Sequence, residues 1–408
     1  MMRLLIIGIF LATVAFGFFL KYLTYSRRNA SLPANVRDVF DEAAYAKNQA
    51  YSMETLRYGI VTGVISTLFS LAFLLFNLHA GLYAWVLAYT QSVYLTSLFI
   101  LGVPLLVGAV LDQLLSIYST FVIEAKYGFN KTTPKTFVVD FFKELLLMVV
   151  LLGGLLTLFL WLHGLMGDGV FVTFFFVLLA LSLLMRFLSP LLVRIFNKLT
   201  PLEDGPLKDR INALASQTGY KFKGIYTVDA SRRSTKLNAF AAGFGKTKTI
   251  GLYDTLIEKM PEDEVIAVLA HEIGHAKKGH VLKSMPLSLL YAALMLAAAY
   301  FVLTQPAVSQ AFGFEGANMA FGMYVLSIML APVMLLLQIP SNALSRKHEY
   351  EADRMGSQLA GAPAMASSLK TLYRESFGNL TPHPFVVMLE YSHPPLSQRL
   401  DAIEKNAE

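Results

Sequence analysis

The stretch EDEVIAVLAHEIGHAKKGHVLKSMPLSLLYAALMLAAAYFVLT, residues 262–304, decides how the rest of the chain is read. Its first part has the marks of a helix over 262–280, with Pro261 just ahead of it and Glu262, Asp263 and Glu264 in its opening turn. Its second part, 284–304, is about the length of mostly apolar chain that crosses a bilayer core. The first part also contains His271-Glu272-Ile273-Gly274-His275. On an α-helix residues i and i+4 share a face, so both imidazoles can reach one metal ion, and Glu272 lies close enough to act on a water beside it. Two coincidental histidines on a surface helix are the plain alternative. The position of the pattern, in the only sizeable polar region and on the rim of an apolar run, favours the metal.

Outward from this stretch the chain is mostly apolar. Six further runs have spanning length, at 4–23, 59–79, 94–119, 145–162, 170–193 and 319–340, which makes seven spans. Over 408 residues, 55% are apolar and 15% charged, against about 45–50% and 25% in soluble domains. Mean hydropathy is +0.53. These values exclude an ordinary soluble enzyme, a disordered chain and a secreted disulfide scaffold. Cysteine is absent, so a metal must be held by His and carboxylate. The first span has Lys21, Arg27 and Arg28 after it and only Arg3 before it, the reverse of a signal peptide, so it reads as uncleaved.

Lys and Arg distribution sets the expected orientation. Segments 24–58, 120–144, 194–283 and 341–408 are rich in them, and connections 80–93, 163–169 and 305–318 have none. The N-terminus is therefore expected outside, and the catalytic region and C-terminus in the cytoplasm. The net charge of +6 then records topology rather than nucleic-acid binding, for which no recognition fold or basic stripe is present. Two domains are expected: residues 1–193, a membrane domain of five spans, and residues 194–408, which hold two spans, a cytoplasmic tail and the chemistry. Within the second, 204–217 reads as an amphipathic helix, and 224–228 and 247–252 read as strands.

A catalytic zinc needs a third protein ligand and an open position. The tail offers His348-Glu349-Tyr350-Glu351-Ala352-Asp353 in a helix expected over 343–360. There Glu349 and Asp353 share a face, one as ligand and the other placed to hold a ligand imidazole from behind. Glu351, Arg346 and Lys347 read as a solvated face. His348 and His280 read as non-ligands off the binding face, His79 and His163 as ordinary residues at span ends, and His383 as loop. Asp112 and Arg186 lie inside spans, where charge is costly; chamber lining and helix pairing or snorkelling remain equal readings.

HEIGH followed by Glu349-Tyr350-Glu351-Ala352-Asp353 resembles the type I CAAX prenyl proteases, integral-membrane zinc metallopeptidases. The likeness covers nearly the whole chain. It includes Tyr118 to Glu124 with Tyr127-Gly128-Phe129-Asn130-Lys131, Thr200-Pro201-Leu202 through Gly205, Ser234 to Phe240, and Ser392-His393-Pro394-Pro395-Leu396 with Arg399-Leu400. It implies a predominantly α-helical polytopic membrane protein, seven transmembrane helices enclosing a water-filled chamber, with a small α+β, gluzincin-like zinc metallopeptidase domain. It implies one zinc ion on His271, His275 and Glu349, Glu272 as general base, and Asp353 behind the ligands. Asn238, Ala239 and Phe240 match the start of an edge strand, running on to Gly243, that pairs with substrate backbone. His393 and Arg399 match groups that assist substrate or intermediate.

The implied partners are a peptide or protein substrate, prenylated or plain, and the lipid bilayer; nothing fixes an oligomeric state. The chain has Phe240 and Ala241 where the family often has Tyr. Its tail shows no KDEL-like or dilysine retrieval signal, which leans towards a bacterial inner membrane rather than the ER. Two rival functions remain: a membrane-protein quality-control protease without prenyl preference, and a transporter with a vestigial metal site. The scarcity of charge within the spans counts against the transporter.

Overall fold

The computed structural model describes residues 1–242 and 248–407. The first half contains α1 (Met2–Ser26), α2 (Glu42–Leu75), the short α3 (Leu78–Leu87), α4 (Val93–Tyr118), α5 (Pro134–Met148), α6 (Gly154–Met166) and α7 (Val170–Phe196). Then follow α8 (Pro206–Thr218), α9 (Asp254–Lys259), α10 (Glu262–Lys278), α11 (His280–Leu303), α12 (Pro306–Gln310) and α13 (Met319–Ala360). The chain closes with α14 (Ala362–Ser376), α15 (Pro384–Glu390) and α16 (Leu396–Ala407). Side chains start several of these: Asp41, Ser92, Thr133 and Asn318 each accept from the backbone N–H three residues on, satisfying a donor the helix itself cannot.

Among the described residues, six continuous helical runs are long and apolar enough to cross a membrane. The fourth, Pro134–Met185, is 52 residues long and doubles back. The ring of Phe159 lies 5.2 Å from that of Phe174, whereas a straight helix would separate them by about 22 Å. The reversal is the turn Gly167–Gly169, where Gly167 takes φ 56°. It divides the run into the two spans expected there, so seven spans stand.

The spans form a closed ring. In order α1 packs on α2, α2 on the turn that continues α4, α4 on α6, α6 on α7, α7 on α11, α11 on α13, and α13 back on α1. At one end the ring is plugged by a core of Ile6, Leu74, Ile100, Phe159, Phe312, Phe321 and Val325. Between the ends the spans are little buried, with only 6–28% of each apolar window inside the molecule.

Three elements differ from the sequence reading. α2 begins at Glu42, well before the apolar run at 59. The expected span 319–340 and helix 343–360 are one helix, α13, of 42 residues and about 63 Å, twice the thickness of a bilayer core. Pro332 and Pro340 lie inside it. Apolar composition stops near 340, but the helix does not stop until Gly361, at φ 92°.

At the open end of the ring lies a four-stranded sheet of β1 (Leu199–Pro201), β2 (Gly224–Val228), β3 (Ala239–Ala242) and β4 (Thr249–Tyr253), in the order β1-β2-β4-β3. β2 and β4 are parallel and the outer pairs antiparallel. The sheet, α8 and α10 share a core of Ile211, Leu214, Ile250, Leu252, Leu269 and Ile273. The segment before β3 is clasped by the α4–α5 loop. Thr235 N donates to Phe129 O (3.1 Å), Lys131 N to Arg233 O (3.0 Å), and Arg233 forms a two-pronged pair with Asp140.

Candidate metal centre

α10 and α13 cross closely because glycine and alanine line the crossing. A Cβ on Gly274 would sit 3.2 Å from the Cα of Ala352, and one on Gly356 would sit 3.5 Å from both Ala267 O and His271 N. This approach brings Glu349 of α13 against the histidines of α10. His271 Nε2 and His275 Nε2 are 3.1 Å apart. Glu349 lies 3.5 Å from the first and 3.3 Å from the second. Ligand atoms bound tetrahedrally to one zinc at about 2.0–2.2 Å stand about 3.3 Å from one another, which is the spacing found. Glu349 Oε2 is buried without a hydrogen-bond partner. A buried acceptor left unpaired is expensive, and a metal would pair it. The donor set of two imidazoles and a carboxylate therefore fits zinc.

The surroundings hold the three in place. Asp353 Oδ1 lies 2.9 Å from His271 Nδ1, off the line of the ring N–H. Arg399 Nε donates to Asp353 Oδ2 (2.8 Å) and its Nη2 to Oδ1 (2.5 Å). The same Nη2 is 3.5 Å from Glu349 Oε2. Burial works against protonation of His271, but Asp353 and Glu349 outweigh it and hold the imidazole up at about 9. Burial also raises Glu272 above the usual carboxylate range, while His271 and His275 draw it back down. A base raised in this way has its pKa nearer neutrality, where proton transfer is most effective.

His393 reaches over from the α15–α16 connection. Its Nε2 is 3.4 Å from Glu349 Oε1, its Nδ1 is 2.9 Å from Ser392 Oγ, and 59% of its side chain is open. Arg346 Nη1 holds the chain before His393 by donating to Val387 O and Tyr391 O.

β3 is an edge strand beside this group. Tyr253 N donates to Asn238 O, so the hydrogen-bonded pairs with β4 fall at 238, 240 and 242. The N–H and C=O of Ala239 and Ala241 consequently point to the free edge. The ring of Phe240 packs against Gly251, where any Cβ would strike it. Asn238 Oδ1 accepts from Ala239 N (2.9 Å), occupying one edge donor.

Of the residues singled out from sequence, His271, His275, Glu272, Glu349, Asp353 and His393 come together. Arg399 is 6% exposed and donates to Asp353, so it also braces the carboxylates. Glu351 and Arg346 are also not a solvated face, since Glu351 pairs with His280 and Lys283 and Arg346 binds carbonyls. His79 is buried beside Tyr324 in the plug, and His383 caps α15. Asp112 is exposed on α4 and makes no ion pair among the described residues. The side chain of Arg186 and residue Gly243 lie outside the described residues. β1 and β3 carried no period-2 signal in the sequence, being short and held by their neighbours.

Residues 21–198 match the family model for the CAAX prenyl protease N-terminal domain, five membrane helices, and residues 201–407 match that for peptidase family M48. The chain belongs to the CAAX prenyl protease family. CAAX prenyl protease 1 homolog of Oryza sativa is 31% identical, over 92% of this chain and 90% of the relative. CAAX prenyl protease 1 of Saccharomyces cerevisiae is 30% identical, over 98% and 95%. The crystal structure of S. mikatae Ste24p superimposes with TM-score 0.94 at 28% identity, covering 99% of each chain. As a member of the CAAX prenyl protease family the chain is an integral, multi-pass membrane metalloprotease that acts on peptides, which disposes of the transporter reading.

Proposed function

We propose that this chain is a zinc endopeptidase that cleaves near the C-terminus of CAAX-type, prenylated polypeptides delivered to the open end of its ring. The observation that carries the reading is the convergence of His271, His275 and Glu349 next to a free strand edge. The substrate backbone adds to β3 as a further strand, pairing with Ala239 and Ala241 once the Asn238 carboxamide turns aside. His271, His275 and Glu349 hold one zinc ion, which when bound supplies Lewis acidity that brings the pKa of water towards about 7. Glu272 takes the proton of the attacking water and gives it to the leaving amine, while water oxygen bonds to the scissile carbonyl carbon and the C–N bond breaks. His393, open and aimed at the site, donates to the oxygen that becomes negative in that step.

The division near residue 193 is part of this proposal. It is supported by the gap between the two family models at 198 and 201. The proposed orientation puts the metallopeptidase block in the cytoplasm and the N-terminus outside, supported by the Lys and Arg distribution. The relatives named above are eukaryotic and lend no support to a bacterial inner membrane. Fractionation and accessibility of cysteines introduced in each connection test both points.

The central experiment compares farnesylated and plain CAAX peptides, with and without chelator, for the wild type and Glu272→Gln. Expected are chelator-sensitive cleavage of the farnesylated peptide and a loss of about 10²- to 10⁴-fold in Glu272→Gln with zinc retained. Undiminished cleavage by Glu272→Gln would sink the assigned base. Equal cleavage of both peptides would favour quality-control proteolysis without prenyl preference. Glu272 works only when deprotonated, so the acid limb of the rate profile should lie above the ordinary glutamate value of 4.5. A limb at or below that value would show that positive charge in the site outweighs burial.

A further inference from the structure

The two histidines proposed as ligands are backed in different ways. His271 meets Asp353 directly. His275 meets another imidazole: its Nδ1 is 2.9 Å from His280 Nδ1. His280 Nε2 lies 3.2 Å from Glu351 Oε2, and Lys283 Nζ lies 3.3 Å from the same oxygen. The ring of His348 stacks on that of His280, centroids 4.1 Å apart and planes within 6°. His280 and His348 are 4% and 5% exposed.

Sequence spacing hides this arrangement. On an unbroken helix, position 280 would point about 140° away from position 275. Gly279 breaks the helix at φ 66°, and the reversal returns the His280 ring to the back of His275. Glu351, about 200° around α13 from Glu349, faces the start of α11 instead of the metal group.

We propose that His280, braced by Glu351, Lys283 and the His348 ring, is a positioning residue that fixes the tautomer and plane of His275 for metal binding. This rests on the metal reading above. Two nitrogens 2.9 Å apart bond only if one carries the proton and the other the lone pair. His275 Nε2, the atom facing Glu349, needs its lone pair for a metal, so the His275 proton sits on Nδ1 and is donated to His280 Nδ1. The proton of His280 is then on Nε2 and is donated to Glu351. Only one proton placement satisfies the row, and it is the one a metal requires. Free rotation of the His275 ring is blocked at the same time.

The test uses the full chain in detergent with zinc alone as the probe, in competition with a chromophoric chelator. His280→Phe keeps a ring against His348 but has no acceptor, and zinc affinity should fall about 10- to 100-fold. His280→Asn returns an acceptor near the lost Nδ1 and should recover part of the affinity. Glu351→Ala should lose affinity in the same direction by a smaller factor. Unfolding temperatures of the chelated variants control for folding. Wild-type zinc affinity in His280→Phe and Glu351→Ala, with His275→Ala free of zinc, overturns the proposal and leaves the metal site standing. Wild-type zinc affinity in His275→Ala overturns the metal reading itself. If His280→Phe does not fold, wild-type affinity in both His280→Asn and Glu351→Ala overturns the proposal.

Discussion

The seven-span ring and the α10–α13 crossing are held together by opposite means. In the ring, each apolar window is at most 28% buried, and surfaces such as Leu68, Leu114 and Leu146 are more than half exposed. On these spans lipid takes the place of protein neighbours. In α10, ten of 17 residues are buried, including His271 and Glu264. Here every polar atom needs a partner inside the protein. The ring therefore depends on composition and length, whereas the crossing depends on shape and on the pairing of buried charge.

Substitutions can break or sharpen that contrast. The largest effect on stability belongs to Arg399→Leu, which takes the guanidinium away from the buried carboxylates of Asp353 and Glu349; loss of one partner of such a pair costs about 3–5 kcal/mol. Detergent-phase unfolding should show it, and an unchanged melting point would mean that Arg399 braces nothing. Next is Gly274→Val, which forces side-chain atoms into the backbone of Ala352 and should destabilise by about 1–3 kcal/mol, with zinc content falling in step. Retained zinc there would show that the crossing yields without moving Glu349. Smallest is Gly154→Ala on α6, where the added methyl meets nothing within 4 Å. Its effect should stay within about 0.5 kcal/mol, and a larger one would show that the ring is packed more tightly than its burial implies.

The spans were legible because lipid imposes one rule on every residue of a spanning helix, and that rule can be summed along the chain. The His271-Glu272-Ile273-Gly274-His275 pattern was legible because i and i+4 meet on any helix, whatever surrounds it. Glu349 and Asp353 were legible for the same reason once their segment was read as helical. The pairing of Arg399 with Asp353 was not legible because it depends on burial, which no local pattern reports. His280 was placed off the ligand face because helical spacing assumes that the helix continues, and Gly279 ends it. The junction near 340 was read as an end because apolar content stopped, although the backbone kept its hydrogen bonds to Gly361.

By itself the sequence determined the seven apolar spans, the clustering of Lys and Arg on alternate connections, and the local spacing of His271, His275, Glu349 and Asp353. These are properties of neighbours in the chain, fixed by helix geometry and by transfer of apolar groups out of water. The tertiary structure decided which distant groups meet: the closing of the ring, the free edge of β3 beside the metal group, the burial of Arg399 and the return of His280 behind His275. Such contacts join residues tens to hundreds of positions apart, or across a broken helix, and their energies depend on shape, burial and pairing that exist only once the chain has packed.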